Sequence, residues 1–105
     1  MSQFLRGAVR LHILHHAAER PIHGAWMAEE LAEHGYRISP GTLYPTLHRM
    51  QFDGLLTSGR EIVDGRTRRV YAITDSGRAA LAEERHALAE LAREILGPAH
   101  LKERK

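Results

Sequence analysis

The sequence predicts a mainly α-helical fold with one small β-hairpin and a long C-terminal helix. Three observations carry this. Apolar residues recur at helical spacing over residues 3–18, 23–34 and 39–53. After Gly54 the period changes to two, and Asp64-Gly65 separates two alternating runs, a strong signal for a two-residue hairpin turn. From residue 75 an apolar seam returns at helical spacing and stops at Gly97-Pro98.

The first helix places Phe4, Leu5, Ala8, Val9, Leu11, Leu14, Ala17 and Ala18 on one broad stripe, and Pro21 prevents its continuation. The second, in "HGAWMAEELAEHG", has Trp26, Met27 and Leu31 as its apolar side and Gly35 as a natural C′ residue. Trp26 reads as a core anchor rather than a stacking platform.

The third helix contains two prolines. Ser39 is a good N-cap, its hydroxyl able to accept from a free backbone N–H, and Pro40 then falls at N1, where a missing N–H costs nothing. Pro45 is different. It removes the N–H that would reach the Gly41 carbonyl, which predicts a slight kink or a partly detached first turn. Leu43, Leu47 and Met50 form the buried face. Such a front turn is small and exposed, and its free N–H groups and positive dipole suit a phosphate.

"LLTSGREIV" and "RRVYAIT" form the hairpin arms around "DGRT". Thr74 then caps the last helix, with Asp75 in its first turn. Leu81, Leu88 and Ile95 are seven apart and, with Ala87 and Leu91, predict a homodimer seam, because the helix has nothing obvious to pack against in its own chain. The expected layout is one compact unit: residues 1–74 as the binding domain, 75–97 as the dimerisation helix, and 98–105 as a flexible tail.

Composition narrows the function. The 105 residues contain no cysteine, which removes disulfides, thiolate catalysis and cysteine-ligated zinc, and fits a reducing cytoplasm. No apolar run approaches the roughly 18 residues that suggest a membrane span. The start, "MSQFLRGAVRLHILHH", does not read as a signal peptide. Net charge is +2, yet residues 37–73 hold six arginines against three acids. Arginine suits bidentate contacts to phosphate and guanine. No Gly-rich phosphate loop follows a strand, and no nucleophile–base pair is legible, so an enzyme is not expected.

Three helices followed by a basic hairpin describe a winged helix-turn-helix, whose third helix enters the DNA major groove. Here "SPGTLYPTLHRM", with "DGLL" close behind, resembles the signature of the PadR family of bacterial transcriptional regulators. "HGAWMAEEL" resembles the family's second-helix start, with Ala25 and Trp26 replacing the more usual aromatic-then-acidic pair. "DGRTRRVYAITDSGRAAL" resembles its wing and the start of its last helix. The resemblance covers about residues 5–96 and is to the short subfamily with one C-terminal helix. It implies a homodimer joined through the last helix and part of the first. It also implies an inverted-repeat operator on double-stranded DNA, usually under repression, and release by an effector, a small molecule or, on the strength of the histidines, a metal. Some short members bind flat aromatic compounds using a tryptophan on the last helix; this chain has no aromatic residue there.

The expected DNA-binding residues are Ser39, Gly41, Thr42, Tyr44, Thr46, His48 and Arg49 on the third helix, and Arg60, Arg66, Arg68 and Arg69 on the wing. Arg49 is the candidate for guanine; Tyr44 and Thr42 are candidates for phosphate. No cofactor is required, but eight histidines raise a competing reading as a metal sensor or metal-binding protein. His12 and His16 stand at i, i+4 with Glu19 and His23 following, and His86 lies on the last helix. Such a set could take zinc or cadmium. A third reading is a protein-docking module, against which the basic wing argues.

Overall fold

A computed structural model describes residues 1–97; the predicted tail, 98–105, lies outside the described residues. In chain order the elements are α1 (Gln3–Glu19), β1 (Ile22–His23), α2 (Gly24–Glu33), α3 (Pro40–Phe52), β2 (Leu56–Val63), β3 (Arg66–Ile73) and α4 (Asp75–Leu96). The sheet is antiparallel with strand order β1-β3-β2. No described helix is long and apolar enough to cross a membrane.

Each helix start and stop has a local cause. The Ser2 hydroxyl accepts from Leu5 N–H at 3.1 Å and caps α1. Both α2 and α3 end on a glycine in the left-handed region, Gly35 at φ 90° and Gly54 at φ 81°. The following amide reaches back to close the turn, Tyr36 N to Leu31 O at 2.8 Å and Leu55 N to Met50 O at 2.9 Å. These are paired Schellman closures. In the hairpin, Asp64 and Gly65 both take positive φ, 53° and 76°, as a type I′ turn requires.

α3 corrects two expectations. It runs unbroken from Pro40 to Phe52, so the first turn is not detached by Pro45. Ser39 is the N-cap by position, but its hydroxyl does not cap a backbone amide; it lies 3.4 Å from Thr42 Oγ1 instead. The Ser39 carbonyl, by contrast, accepts from both Thr42 and Leu43 N–H at 2.9 Å.

The core is one cluster. It joins Val9, Ile13, Leu14 and Ala17 of α1 to Met27 and Leu31 of α2, and to Leu43, Leu47 and Met50 of α3. Ile22, Leu55, Leu56, Tyr71 and Leu81 close it from the sheet and α4. Trp26 is not in it. Its side of α2 turns outward, the residue is 42% exposed, and its ring meets His16 edge-on at 5.4 Å. Met27 and Leu31, with Ala28 packed against them, fill the α2 contribution.

α4 divides into two halves. Its start is locked by Thr74, whose hydroxyl accepts from Gly77 N–H at 3.0 Å and donates to the Gly54 carbonyl at 2.6 Å. Its first half packs on α1, where Arg10 and Glu84 pair at 2.7 Å. Leu81 is therefore mostly a residue of the chain's own core, 8% exposed, and reaches the surface only in the cleft that Phe4 and Leu88 also line. Ala87, Leu88, Leu91 and Ile95 remain exposed.

Candidate nucleic-acid interface

Successive α3 residues are about 100° apart around the axis, so its surface divides into sectors. Leu43, Leu47 and Met50 face the core. On the opposite side Gly41, Pro45, His48 and Phe52 form an exposed stripe. Tyr44 lies on the flank towards the wing. Thr42, Thr46 and Arg49 lie on the other flank, beside α1.

Tyr44 is held from behind. Its ring occupies the space above Gly24, where a Cβ would fall 2.5 Å from Tyr44 Cε1. The glycine that opens α2 thus lets the phenol lie flat against the helix start while the residue stays 39% exposed. Gly24→Ala should displace the ring and weaken duplex binding roughly tenfold, the order of one lost hydrogen bond to a charged group. A gel shift with a matched circular dichroism spectrum checks this; unaltered affinity would remove Tyr44 from the interface.

Strand register sorts the wing arginines into two pairs. Side chains directly opposite share a face, and faces alternate along a strand. Leu56, Ile73 and Tyr71 point into the core, so Arg60 and its cross-strand partner Arg69 extend that same face outward. Burial pushes the Tyr71 phenol pKa up, and the Arg69 cation opposes the rise. Arg66 and Arg68 lie on the reverse face with Glu61 and Val63. There His23 Nε2 meets Glu61 Oε1 at 2.7 Å. Of the four predicted arginines, the register puts Arg60 and Arg69 on the sheet face that carries Leu56 and Tyr71, and Arg66 and Arg68 on the reverse face.

Two like charges face each other at Arg60 and Arg69, and among the described residues neither forms an ion pair. Such a pair is unfavourable in an isolated sheet. A phosphate between them reverses the sign. Arg49 is 75% exposed at its side chain and rests loosely on Asp53 at 3.6 Å. Thr46 donates to the Thr42 carbonyl at 2.8 Å, which reduces its availability for a base.

The chain matches the family model described as the transcriptional regulator PadR-like family over residues 13–83. It belongs to the PadR-like family. A transcriptional regulator of Mycobacterium tuberculosis is 67% identical over 97 residues, covering 92% of this chain and 91% of the relative. Among solved structures, a PadR-like regulator of Bacillus cereus has a TM-score of 0.82 at 29% identity, covering 90% of this chain and 93% of the other. A PadR family regulator of Eggerthella lenta has a TM-score of 0.67 at 29% identity, with 90% and 87% covered. The fold is thus a PadR-like winged helix, and the chain is a DNA-binding transcriptional regulator, not an enzyme.

The histidines do not assemble as the sequence suggested. Among the described residues, the group whose ligand atoms lie within 4.8 Å of one another is His15, His16 and Glu19. His12 lies outside that group: its ring stacks on His16 with centroids 6.2 Å apart and also meets His34 and Tyr36 at 5.1 and 5.2 Å. His23 is taken by Glu61, and His86 is on α4, outside the group. His15 was missed because i, i+4 pairing with His12 drew attention; the signal was its own i, i+4 relation to Glu19.

Burial holds the His12 pKa below the usual imidazole value, aided by His34, His16 and His15, while Glu30 opposes. A depressed histidine contributes stability that is full above its unfolded pKa and is lost as pH falls through the folded one. In a chelating buffer, His12→Gln should therefore shrink the drop in melting temperature between pH 7.5 and 5. An unchanged drop would exclude His12 as a contributor.

Proposed function

We propose that the chain is a cytoplasmic homodimeric repressor that binds an inverted-repeat operator, near its own gene or operon, and leaves it when an effector binds. The observation that carries this reading is the unneutralised Arg60–Arg69 pair on the wing, together with the exposed stripe of α3 and the half-exposed Tyr44. Cations on a wing next to a helix of the right size for a major groove support it. The exposed Leu88, Leu91 and Ile95 on the outer half of α4 support the dimer, since scattered apolar groups are ordinary but a continuous helical stripe is not. Phe4 of α1 continues the same apolar surface, lining one cleft with Leu88.

A gel-shift titration with duplex from immediately upstream of the gene, at two salt concentrations and against random duplex, tests it. Specific binding that weakens steeply with salt is expected. Equal affinity for both duplexes would remove the operator. Arg60→Ala with Arg69→Ala should weaken binding to both.

A metal effector would have one candidate group among the described residues. His15, His16 and Glu19 offer two imidazoles and a carboxylate, donors suited to zinc or cadmium, and three protein ligands leave a position for a fourth. Zinc added to the same titration should release DNA from the wild type and not from His15→Ala/His16→Ala. Identical responses would return these side chains to a solvated helix face.

A further inference from the structure

A helix lying in a major groove has a phosphate backbone along each wall of a groove about 12 Å wide. The wing and Tyr44 serve one flank of α3. The other flank borders a cleft of about 320 Å³ between α3 and the first turns of α1, lined by Arg6, Arg10, Thr42, Thr46, Arg49 and Asp53. Its charges are not equivalent. Arg10 is committed to Glu84 at 2.7 Å, and Arg49 rests on Asp53. Arg6 has no carboxylate partner among the described residues. One uncompensated guanidinium therefore stands at the α1 side of the reading helix, in a cleft that Thr42 also lines.

We infer that this cleft receives the DNA backbone of the second groove wall, with Arg6 as its phosphate-binding cation. The inference rests on the DNA-binding reading and extends it from a one-sided contact to a clamp. α3 sits between two cationic flanks, one built from β2 and β3 and the other from α1. The occupant is duplex backbone rather than a free anion, because the cleft is continuous with the exposed α3 stripe through Thr42 and Pro45. The contact carries no sequence information, since phosphates are alike at every step. Arg6 lies in the first turns of α1, an element to which the sequence assigns packing, dimerisation and a candidate metal set but no DNA contact.

The experiment is a salt titration of duplex affinity for wild type, Arg6→Ala and Arg6→Lys, each on upstream and on random duplex. For Arg6→Ala the slope of log affinity against log salt should flatten by about one unit, on both duplexes alike. Arg6→Lys should keep the wild-type slope, because a point charge suffices for phosphate. A wild-type slope in Arg6→Ala, or a loss confined to the upstream duplex, overturns the clamp while leaving the regulator reading intact. Failure of the wild type to bind either duplex overturns both.

Discussion

Replacing Leu88 with glutamate is expected to leave a folded monomer that no longer grips an inverted repeat. Leu88 is 49% exposed in the single chain, so a carboxylate there meets water and the fold is undisturbed. In a dimer joined through the outer half of α4, the same carboxylate loses its hydration without a partner. Hot-spot truncations at interfaces cost on the order of 2–4 kcal/mol, roughly 30- to 1,000-fold in dimer dissociation. A monomer engages one half-site at a time and forfeits the avidity of two, worth on the order of 10²- to 10⁴-fold. Sedimentation velocity and a gel shift on the same sample check both effects. A Leu88→Glu protein that sediments as a dimer would place the seam elsewhere on the chain.

Gly77→Ala attacks the fold itself. A Cβ at residue 77 would collide with the Leu55 carbonyl oxygen and fall 2.6 Å from Ile73 Cγ1. The first obstacle is backbone and cannot swing aside. Relief requires the start of α4 to move away from the α3–β2 turn. That movement strains the two Thr74 hydroxyl contacts and the Thr74 N–H bond to Leu55 O at 3.1 Å. Overpacking of this kind costs roughly 1–3 kcal/mol, about 5–20 °C in melting temperature for a domain of this size. Thermal melts of the two proteins at equal concentration decide it. A shift of a degree or less would mean the joint is looser than the packing implies.

Much of this architecture was legible because its signals are local. Glycines at the ends of α2 and α3, Asp64-Gly65 in the hairpin and Thr74 before α4 each act through their own backbone, and each took the role its chemistry predicts. β1 was invisible. Two residues, Ile22 and His23, cannot display a period, and they become a strand only by pairing with Val70 and Tyr71. Trp26 misled because size and apolarity favour burial, whereas Met27 and Leu31 already satisfy that side of α2. The wing arginines were legible as a group but not as two pairs, since face assignment depends on register. Leu81 was read with the seam because heptad spacing does not say which partner a helix face meets. Arg6 has no motif; its meaning comes from the α1–α3 approach alone.

Trp26 gives the molecule an optical reporter. It is the sole tryptophan in the chain, it is partly open to water, and its indole meets the His16 ring edge-on at the junction of α1 and α2. His16 in turn lies 3.4 Å from Glu30 and 3.8 Å from Glu19. The emission of unlabelled protein is free of background from any other indole and reports on this contact. Adding zinc in a fluorimeter reads that junction directly, with no dye, tag or DNA present.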